Sequence, residues 1–124
     1  MGTHEFVYAL LPHTGGWRDA GVLREAVLFN APLRWTSGAP AESFAAVEGD
    51  LVLDTIKRAE DSDDVVLRLY EPFGGRGVAR VRIAAGAARR ASLLEDDGDE
   101  LAVEEGAIVV PFRPREVITI KVTP

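Results

Sequence analysis

The sequence contains no cysteine, only two histidines and no excess of basic residues. Without cysteine the chain has no disulfide framework, no thiolate nucleophile and no cysteine-ligated zinc. His4 and His13 leave no third histidine for an all-histidine metal site. The 14 basic and 20 acidic residues give a net charge of −6, which argues against a nucleic-acid partner because such a partner needs a basic face.

Long apolar runs are absent too. No stretch reaches the roughly 20 apolar residues of a membrane helix, and no basic-then-apolar signal segment opens the chain. The sequence therefore predicts no membrane partner and a cytoplasmic location. Its 124 residues suffice for one domain with a core of its own, and we predict a single domain over residues 1–124.

Short apolar segments separated by Gly and Pro predict a mainly β fold. In the last two-fifths of the chain, Val78–Ile83 and Val117–Val122 alternate apolar and polar residues, which is typical of antiparallel strands with one solvated face. Thr119 and Lys121 are thus predicted to face solvent. Together the segments predict an antiparallel β-sandwich, with strands at Ser43–Glu48, Leu51–Ala59, Val65–Glu71, Val78–Ile83, Leu101–Glu104, Ala107–Phe112 and Val117–Val122.

The first third of the chain predicts a strand and one α-helix. Thr3–His13 is apolar on both faces, as in a strand that is covered on both sides. Trp17–Phe29 carries an apolar helical stripe, so we predict a helix near residues 18–29 with Leu23 and Val27 buried. Asn30 and Pro32 are its stop signals. Arg34–Pro40 is interpreted as a loop.

Metal and acid–base chemistry have weak signals. His4 and His13 lie at opposite ends of a predicted strand, too far apart to share one ion with Glu5 at about 3.3 Å per residue. The acidic runs Glu60–Asp64 and Glu95–Glu100 allow a glycosidase-like carboxylate pair by number, but solvated loops explain them as well. The second run also has the wrong spacing for a calcium loop.

Three further patterns each have a structural alternative. Phe73–Gly77, FGGRG, lacks the Lys-Ser/Thr ending of a phosphate loop, and a hairpin turn between two strands is favoured. No serine has a nucleophile-elbow context; the four serines are Ser37, Ser43, Ser62 and Ser92. Four aromatic residues could stack on a sugar or fill the core: Tyr8, Trp17, Trp35 and Tyr70. The residues alone assign no catalytic or metal-binding role and identify no sugar-binding residue.

The order of several segments resembles the C-terminal β domain of glycoside hydrolase family 38 α-mannosidases. The most specific stretches are HEFVYALLPH (His4–His13), the run from IKRAED to LRLYEP (Ile56–Pro72) and PFRPREVITIKV (Pro111–Val122), with a helix between the first two. The resemblance covers Thr3 to Val122. Arg34–Glu42 and Ala84–Glu100 match nothing in the family's pattern, so they receive no role.

The resemblance implies a parent enzyme that hydrolyses α-mannosides with retention. It places the zinc, its Asp and His ligands and the nucleophilic Asp in a separate N-terminal catalytic domain, which no part of this chain resembles. No ligand or nucleophile can therefore be carried over, and His4 belongs to the β domain. No cofactor is expected in this chain, and zinc is expected in the missing domain. The chain resembles the last portion of the C-terminal region and is predicted to be inactive alone.

Three functions follow as hypotheses. The first is an accessory domain that supports the catalytic domain of an α-mannosidase and takes that domain as its partner. The others are a stand-alone carbohydrate-binding module and an interaction domain with no sugar contact. We also predict that one face of Thr3–Leu11 packs on the core, while the helix, the catalytic domain or a second copy in a homodimer covers the other.

Overall fold

The structure is a computed structural model that describes residues 2–31, 37–38 and 43–124. The chain forms two compact units, residues 1–39 and residues 40–124, here named the N-terminal unit and the sandwich unit. In the described residues, the N-terminal unit contains α1 (Val22–Asn30). The sandwich unit contains β1 (Ala46–Glu48), β2 (Val52–Arg58), β3 (Val65–Tyr70), β4 (Gly77–Arg82), β5 (Ala87–Ala91), β6 (Asp97–Leu101), β7 (Val103–Glu104), β8 (Ala107–Phe112) and β9 (Val117–Thr123).

The strands form two antiparallel sheets, which confirms the predicted β-sandwich. The four-stranded sheet has the order β1-β4-β8-β7, and the five-stranded sheet has the order β2-β3-β9-β5-β6. The core lies between them because each sheet turns an apolar face inward: Val81 pairs with Ile108 in one sheet, and Leu67 pairs with Ile120 in the other. All members of the core cluster lie in residues 51–122.

Most predicted strands are confirmed, with ends that differ by a few residues. The sandwich unit has two exceptions. The predicted strand Leu101–Glu104 is divided between β6 and β7, which belong to different sheets, and in the region 84–100 β5 and β6 form a hairpin that the sequence did not predict. Its sequences, AARRA and DGDEL, lack the β-branched and aromatic residues that favour strands. They are strands because β5 pairs with β9 along its whole length. The interpretation of Glu95–Glu100 as a loop is therefore wrong for Asp97–Glu100.

The alternation of β4 is confirmed, but that of β9 is only half right. Ala79 and Val81 are buried and Arg82 is exposed, as predicted. Thr119 and Lys121 do point away from the core, yet they are only 3% and 4% exposed. The solvated face predicted for β9 is wrong because this strand lies in the middle of its sheet, where neighbouring loops cover its outer side.

The N-terminal unit departs from the predictions. No residue of Thr3–His13 belongs to a strand, so that prediction is wrong for the described structure. The helix begins at Val22 because Gly21 has a left-handed φ of 65°. No residue of α1 is buried, which contradicts the predicted burial of Leu23 and Val27. The helix ends at Asn30, one residue beyond the predicted end, and Asn30 Nδ2 donates to the carbonyl oxygen of Ala26 at 2.8 Å.

Some predictions lie outside the described residues. Of the loop Arg34–Pro40, the structure describes residues 37 and 38 alone, and Trp35 is not among them. Within the described ranges, no helix has the length and apolarity that a membrane crossing requires. The single domain over residues 1–124 stays a prediction.

Candidate functional site

The glycine loop, Phe73–Gly77, surrounds a buried carboxylate from its own chain. Glu71 follows β3 and is 2% exposed. Its Oε1 accepts hydrogen bonds from the backbone N–H groups of Phe73 and Gly75 at 2.8 and 3.1 Å. Its Oε2 accepts from the N–H groups of Gly74 and Arg115 at 2.7 and 2.9 Å. The loop is therefore an anion-binding nest that is filled internally.

The electrostatics of Glu71 agree with this geometry. Burial raises the pKa of its carboxyl, but the four backbone N–H donors outweigh that effect and lower the pKa from 4.5 to about 2. The donors that a phosphate would need are already used. The loop also joins β3 to β4, which belong to different sheets, so it is a connection between sheets and the hairpin interpretation is wrong.

A second buried charged group lies on the outer face of the five-stranded sheet. The register places Lys57, Val66, Lys121 and Arg89 in one row across β2, β3, β9 and β5. We name as the charge cluster these three cations with Arg68 and the acids that contact them. The acids come from both acidic runs: Glu60, Asp61, Asp64, Glu95 and Asp97.

Glu95 holds one end of the charge cluster. It is buried, and its Oε1 lies 2.7 Å from Lys57 Nζ and 3.8 Å from Arg68. Its Oε2 accepts a hydrogen bond from the N–H of Glu60 at 3.0 Å. The Lys57 ammonium, followed by that N–H, lowers the pKa of Glu95. The loop that carries Glu95 is thereby fixed against the sheet.

Asp64 and Lys121 occupy the rest of the cluster. Thr123 Oγ1 donates to Asp64 at 2.8 Å and Arg89 Nη2 does so at 2.8 Å, and both lower the pKa of Asp64. Lys121 Nζ lies 3.1 Å from Asp97 and 3.3 Å from Asp61, and Asp97 contributes most to the raised pKa of Lys121. It also donates to the carbonyl oxygen of Glu95 at 3.3 Å.

The charge cluster is suited to structure and not to acid–base catalysis. A glycosidase pair needs one carboxyl with a raised pKa to act as general acid. Asp64 and Glu95 instead both have lowered pKa values and cationic partners. Their burial contradicts the solvated-loop interpretation for these two acids, whereas Glu60 and Asp63 are exposed as expected.

Metal ligation finds no support in the arrangement of side chains. The described residues contain no group of three or more His, Asp or Glu that could hold a metal ion. His4 is exposed and its ring stacks on Phe6 at a centroid distance of 6.4 Å; His13 is also exposed.

The serine hydroxyls have structural partners. Ser62 Oγ donates to Asp64 Oδ2 at 3.2 Å. Ser92 Oγ donates to Asp96 and accepts from the N–H groups of Leu94 and Asp96, so it fixes the turn between β5 and β6. Ser37 and Ser43 are exposed.

The tyrosines and the tryptophan that the structure describes do not fill the core, whereas Phe112 does. Tyr8 and Trp17 are exposed and Tyr70 is half-buried, so the core interpretation is wrong for these three. An aromatic residue that sequence reasoning missed is Phe44, which is exposed at an open cleft of about 850 Å³. Arg82 also lines this cleft, and its Nε lies 3.3 Å from Glu48. No sequence pattern distinguished Phe44, since it precedes a short strand.

The N-terminal unit presents apolar side chains to solvent. Phe6, Val7, Tyr8 and Leu10 are between 80% and 87% exposed. An apolar groove of about 550 Å³ separates the segment around Leu10 from α1. Its helical side includes Val22, Ala26 and Phe29.

The chain is similar to known proteins over most of its length. Residues 50–120 match the family model described as glycosyl hydrolases family 38 C-terminal beta sandwich domain. The chain is 36% identical over 132 residues to alpha-mannosidase 2C1 of Homo sapiens and 34% identical over 130 residues to that of Mus musculus. These matches cover 96% and 94% of this chain but 13% and 12% of the relatives. Alpha-mannosidase G of Dictyostelium discoideum is 34% identical over 84 residues, which cover 60% of this chain and 8% of that protein.

Proposed function

The chain belongs to the glycosyl hydrolase family 38 C-terminal β-sandwich domain family, and on that premise we propose that it is the accessory domain of an enzyme that hydrolyses α-mannosides. One observation carries the proposal: nearly the whole chain aligns with about an eighth of two mammalian proteins named alpha-mannosidase. The chain thus corresponds to a part of such an enzyme, and the hydrolytic activity is assigned to the assembled protein.

The chemistry of the described residues supports a structural role. The buried carboxylates of Glu71, Asp64 and Glu95 all have lowered pKa values and are saturated with N–H donors or cations. They are therefore unsuited to donate a proton to a leaving group. The described residues also offer no set of three metal ligands, so they do not fit the zinc that the resemblance implies. Zinc is expected in the catalytic domain.

The partner in this proposal is the catalytic domain of the same polypeptide. The apolar surface of the N-terminal unit supports it, because contiguous exposed apolar patches commonly mark interfaces. A homodimer is a rival explanation of the same surface. The cytoplasmic location stays a prediction from the sequence.

A carbohydrate-binding module is the second candidate. The cleft lined by Phe44 and Arg82 favours it, since an aromatic ring can stack on a sugar ring while a guanidinium beside it hydrogen-bonds the sugar hydroxyls. In that case the chain would bind mannosides by itself.

Activity measurements test the first proposal. We expect the complete polypeptide that contains this chain to hydrolyse an aryl α-mannoside, and the 124-residue chain to show no turnover with or without Zn²⁺ or Co²⁺. Metal-dependent turnover by the isolated chain, abolished by His4→Ala or His13→Ala, would contradict it. The same holds for a complete polypeptide that is folded but inactive on every α-mannoside tried.

Sugar titration distinguishes a carbohydrate-binding module from an accessory domain that only supports the catalytic domain. Calorimetry or NMR of the isolated chain with mannose and mannobiose should show no saturable binding if the chain is only a support. Saturable binding that Phe44→Ala removes and Phe73→Ala retains would establish the module instead. Phe73 is the matched control because it is an aromatic residue of the glycine loop, and the cleft is lined by other residues.

A further inference from the structure

Residues 3–11, here named the N-terminal segment, have the sequence of an inner β-strand. Phe6, Tyr8 and Leu10 alternate with Val7, Ala9 and Leu11, so both faces of an extended chain would be apolar. Strands of this kind are covered on both sides in folded proteins. An edge strand facing water carries charged residues or proline that block further pairing. Between Phe6 and Leu11 the segment has neither.

This segment forms no regular secondary structure with the residues that the structure describes. None of its residues belongs to a strand, and its large side chains are almost fully exposed. The rings of His4 and Phe6 stack at 6.4 Å, which places side chains i and i+2 on the same side. An extended strand likewise places residues i and i+2 on the same face.

The neighbouring helix is also open to solvent in the part of the chain that the structure describes. α1 has nine residues and none of them is buried. A helix this short is marginal in water unless its apolar face packs against something. Because α1 and the residues around Leu10 line the same apolar groove, one neighbour could cover both elements.

We propose that the N-terminal segment forms an inner strand of a β-sheet that belongs to the α-mannosidase polypeptide outside these 124 residues, with α1 covering one face of that sheet. The inference rests on the proposed function. The human relative has 87% of its length outside the match, while the match covers 96% of this chain, so there is ample polypeptide to supply the sheet.

The pattern of the segment distinguishes this occupant from a second copy. Two copies paired through their N-terminal segments would form a two-stranded ribbon, in which each segment keeps one unpaired edge and which is marginally stable by itself. The segment needs strand neighbours in the plane and covering layers on both faces. By contrast β2, which is an edge strand of the five-stranded sheet, carries Lys57 and Arg58, as an edge facing water should.

Amide hydrogen exchange tests the proposal directly. The samples are the 124-residue chain and the longest polypeptide that its reading frame encodes, both without substitutions. Peptides covering residues 3–11 should exchange rapidly in the isolated chain. In the long polypeptide we expect exchange at least about 100-fold slower, as for a hydrogen-bonded inner strand.

Variants of the long polypeptide test the side chains and the backbone separately. Leu10→Ser should lower its thermal midpoint and leave that of the isolated chain unchanged, whereas Leu94→Ser should change neither. Leu94 is the matched control because both leucines are 87% exposed in this structure. Tyr8→Pro should remove the protection of residues 3–11 against amide exchange, because proline cannot donate a hydrogen bond to a neighbouring strand. If that variant fails to fold, the exchange of the unsubstituted polypeptide still tests whether the segment is an inner strand.

Three results would overturn the proposal. One is rapid exchange of residues 3–11 in the folded long polypeptide, and another is a reading frame that supplies no preceding sheet. The third is equal protection in the isolated chain at high concentration, which would assign the segment to a second copy. Mannosidase activity is read separately: an active polypeptide with an unprotected segment refutes the strand alone, and an inactive one with a protected segment refutes the activity alone.

Discussion

The carboxylate of Glu71 organises the connection between the two sheets. Its four N–H partners come from the glycine loop and from Arg115, which precedes β9 by two residues. One side chain therefore ties together the end of β3, the crossing to β4 and the start of β9. Gly74 contributes a left-handed φ of 80° that turns its N–H toward this carboxylate.

We expect Glu71→Gln to lower the free energy of unfolding at pH 7. The amide keeps one acceptor oxygen but points its NH₂ group at N–H donors, which leaves buried donors unpaired. Glu105→Gln is the control, because Glu105 is exposed and its carboxylate lies 3.5 Å from the guanidinium of Arg80. Urea unfolding of the three proteins measures the effect, and equal midpoints for both variants would contradict the role assigned to Glu71.

The pH dependence of stability follows from the same group. The folded pKa of Glu71 is about 2 and lies below its ordinary value of 4.5, so the folded state binds this proton more weakly than the unfolded state. Its contribution is complete above about pH 5 and is lost as the pH falls toward 2. Asp64 and Glu95 add loss in the same direction. Urea midpoints from pH 7 to pH 2.5 should therefore fall less steeply for Glu71→Gln than for the unsubstituted chain, and parallel curves would refute this assignment.

At Lys121, the contribution of the buried aliphatic stem to stability can be distinguished from that of the ammonium charge. Its ammonium group contacts Asp61 and Asp97, which are both more than half exposed and can return to water. We therefore expect Lys121→Met, which keeps the stem, to destabilise the chain less than Lys121→Ala, which leaves a gap beside Val66. Urea unfolding at pH 7 compares them. Equal losses would mean that the charge, and not the stem, supports this face.

Glu71 and Lys121 show which contacts can be predicted from sequence alone and which cannot. The partners of Glu71 in the glycine loop lie within four positions, so an acid before Gly-Gly is a local signal that could have indicated an internally filled nest. Lys121 and Asp61 lie 60 positions apart, and no local pattern pairs them. The sequence assigned no catalytic role to Glu71, Lys121 or Asp61, and that assignment stays a prediction.

At the scale of elements, the turn between β1 and β2 is crowded by the neighbouring strand β4 at Gly49. Gly49 has a φ of 114°, and a Cβ at this position would lie 3.3 Å from the Cα of Ala79 on β4. Because β1 and β2 belong to different sheets, this turn crosses the edge of the sandwich. Both the positive φ and the close approach of the neighbouring strand disfavour a side chain at this position.

Gly49→Ala should therefore cost about 1–2 kcal/mol from backbone conformation alone, with the contact to Ala79 adding to it. Gly106→Ala supplies the comparison, since Gly106 has a φ of 75° but no atom within 4 Å of the added Cβ. We expect the order of destabilisation to be Gly49→Ala, then Gly106→Ala, then Gly2→Ala. Thermal unfolding ranks the variants, and an equal effect at Gly49 and Gly106 would show that the contact with β4 is relaxed without cost.

The elements that were predicted well have their signal in their own residues. β8 begins and ends where its apolar run does, and β4 alternates as its sequence does. β5 was missed because its place in the sheet depends on pairing with β9, which is distant in sequence. The N-terminal segment has the apolar pattern of a strand, but the described structure offers it no strand to pair with. The sequence prediction therefore failed here because a strand also requires a neighbouring strand.

At the scale of the whole molecule, the buried core and the exposed apolar residues of the N-terminal segment belong to different units. Every buried core residue that the structure describes belongs to the sandwich unit, and the family match at residues 50–120 lies within the same unit. The N-terminal unit holds an exposed apolar segment and a helix with no buried residue. This division suits an accessory domain whose sandwich is complete in itself.

Removal of residues 1–39 should therefore leave the sandwich folded. We expect the chain of residues 40–124 to differ from the complete chain by less than about 1 kcal/mol in free energy of unfolding, because no member of its core is removed. Ile120→Ala, made in both chains, calibrates the measurement, since truncating a fully buried isoleucine should cost about 2–5 kcal/mol. Circular dichroism and urea unfolding provide the comparison. If the shortened chain is unfolded, or if Ile120→Ala costs much less in it than in the complete chain, then the sandwich depends on the N-terminal unit and the division of roles between the two units is wrong.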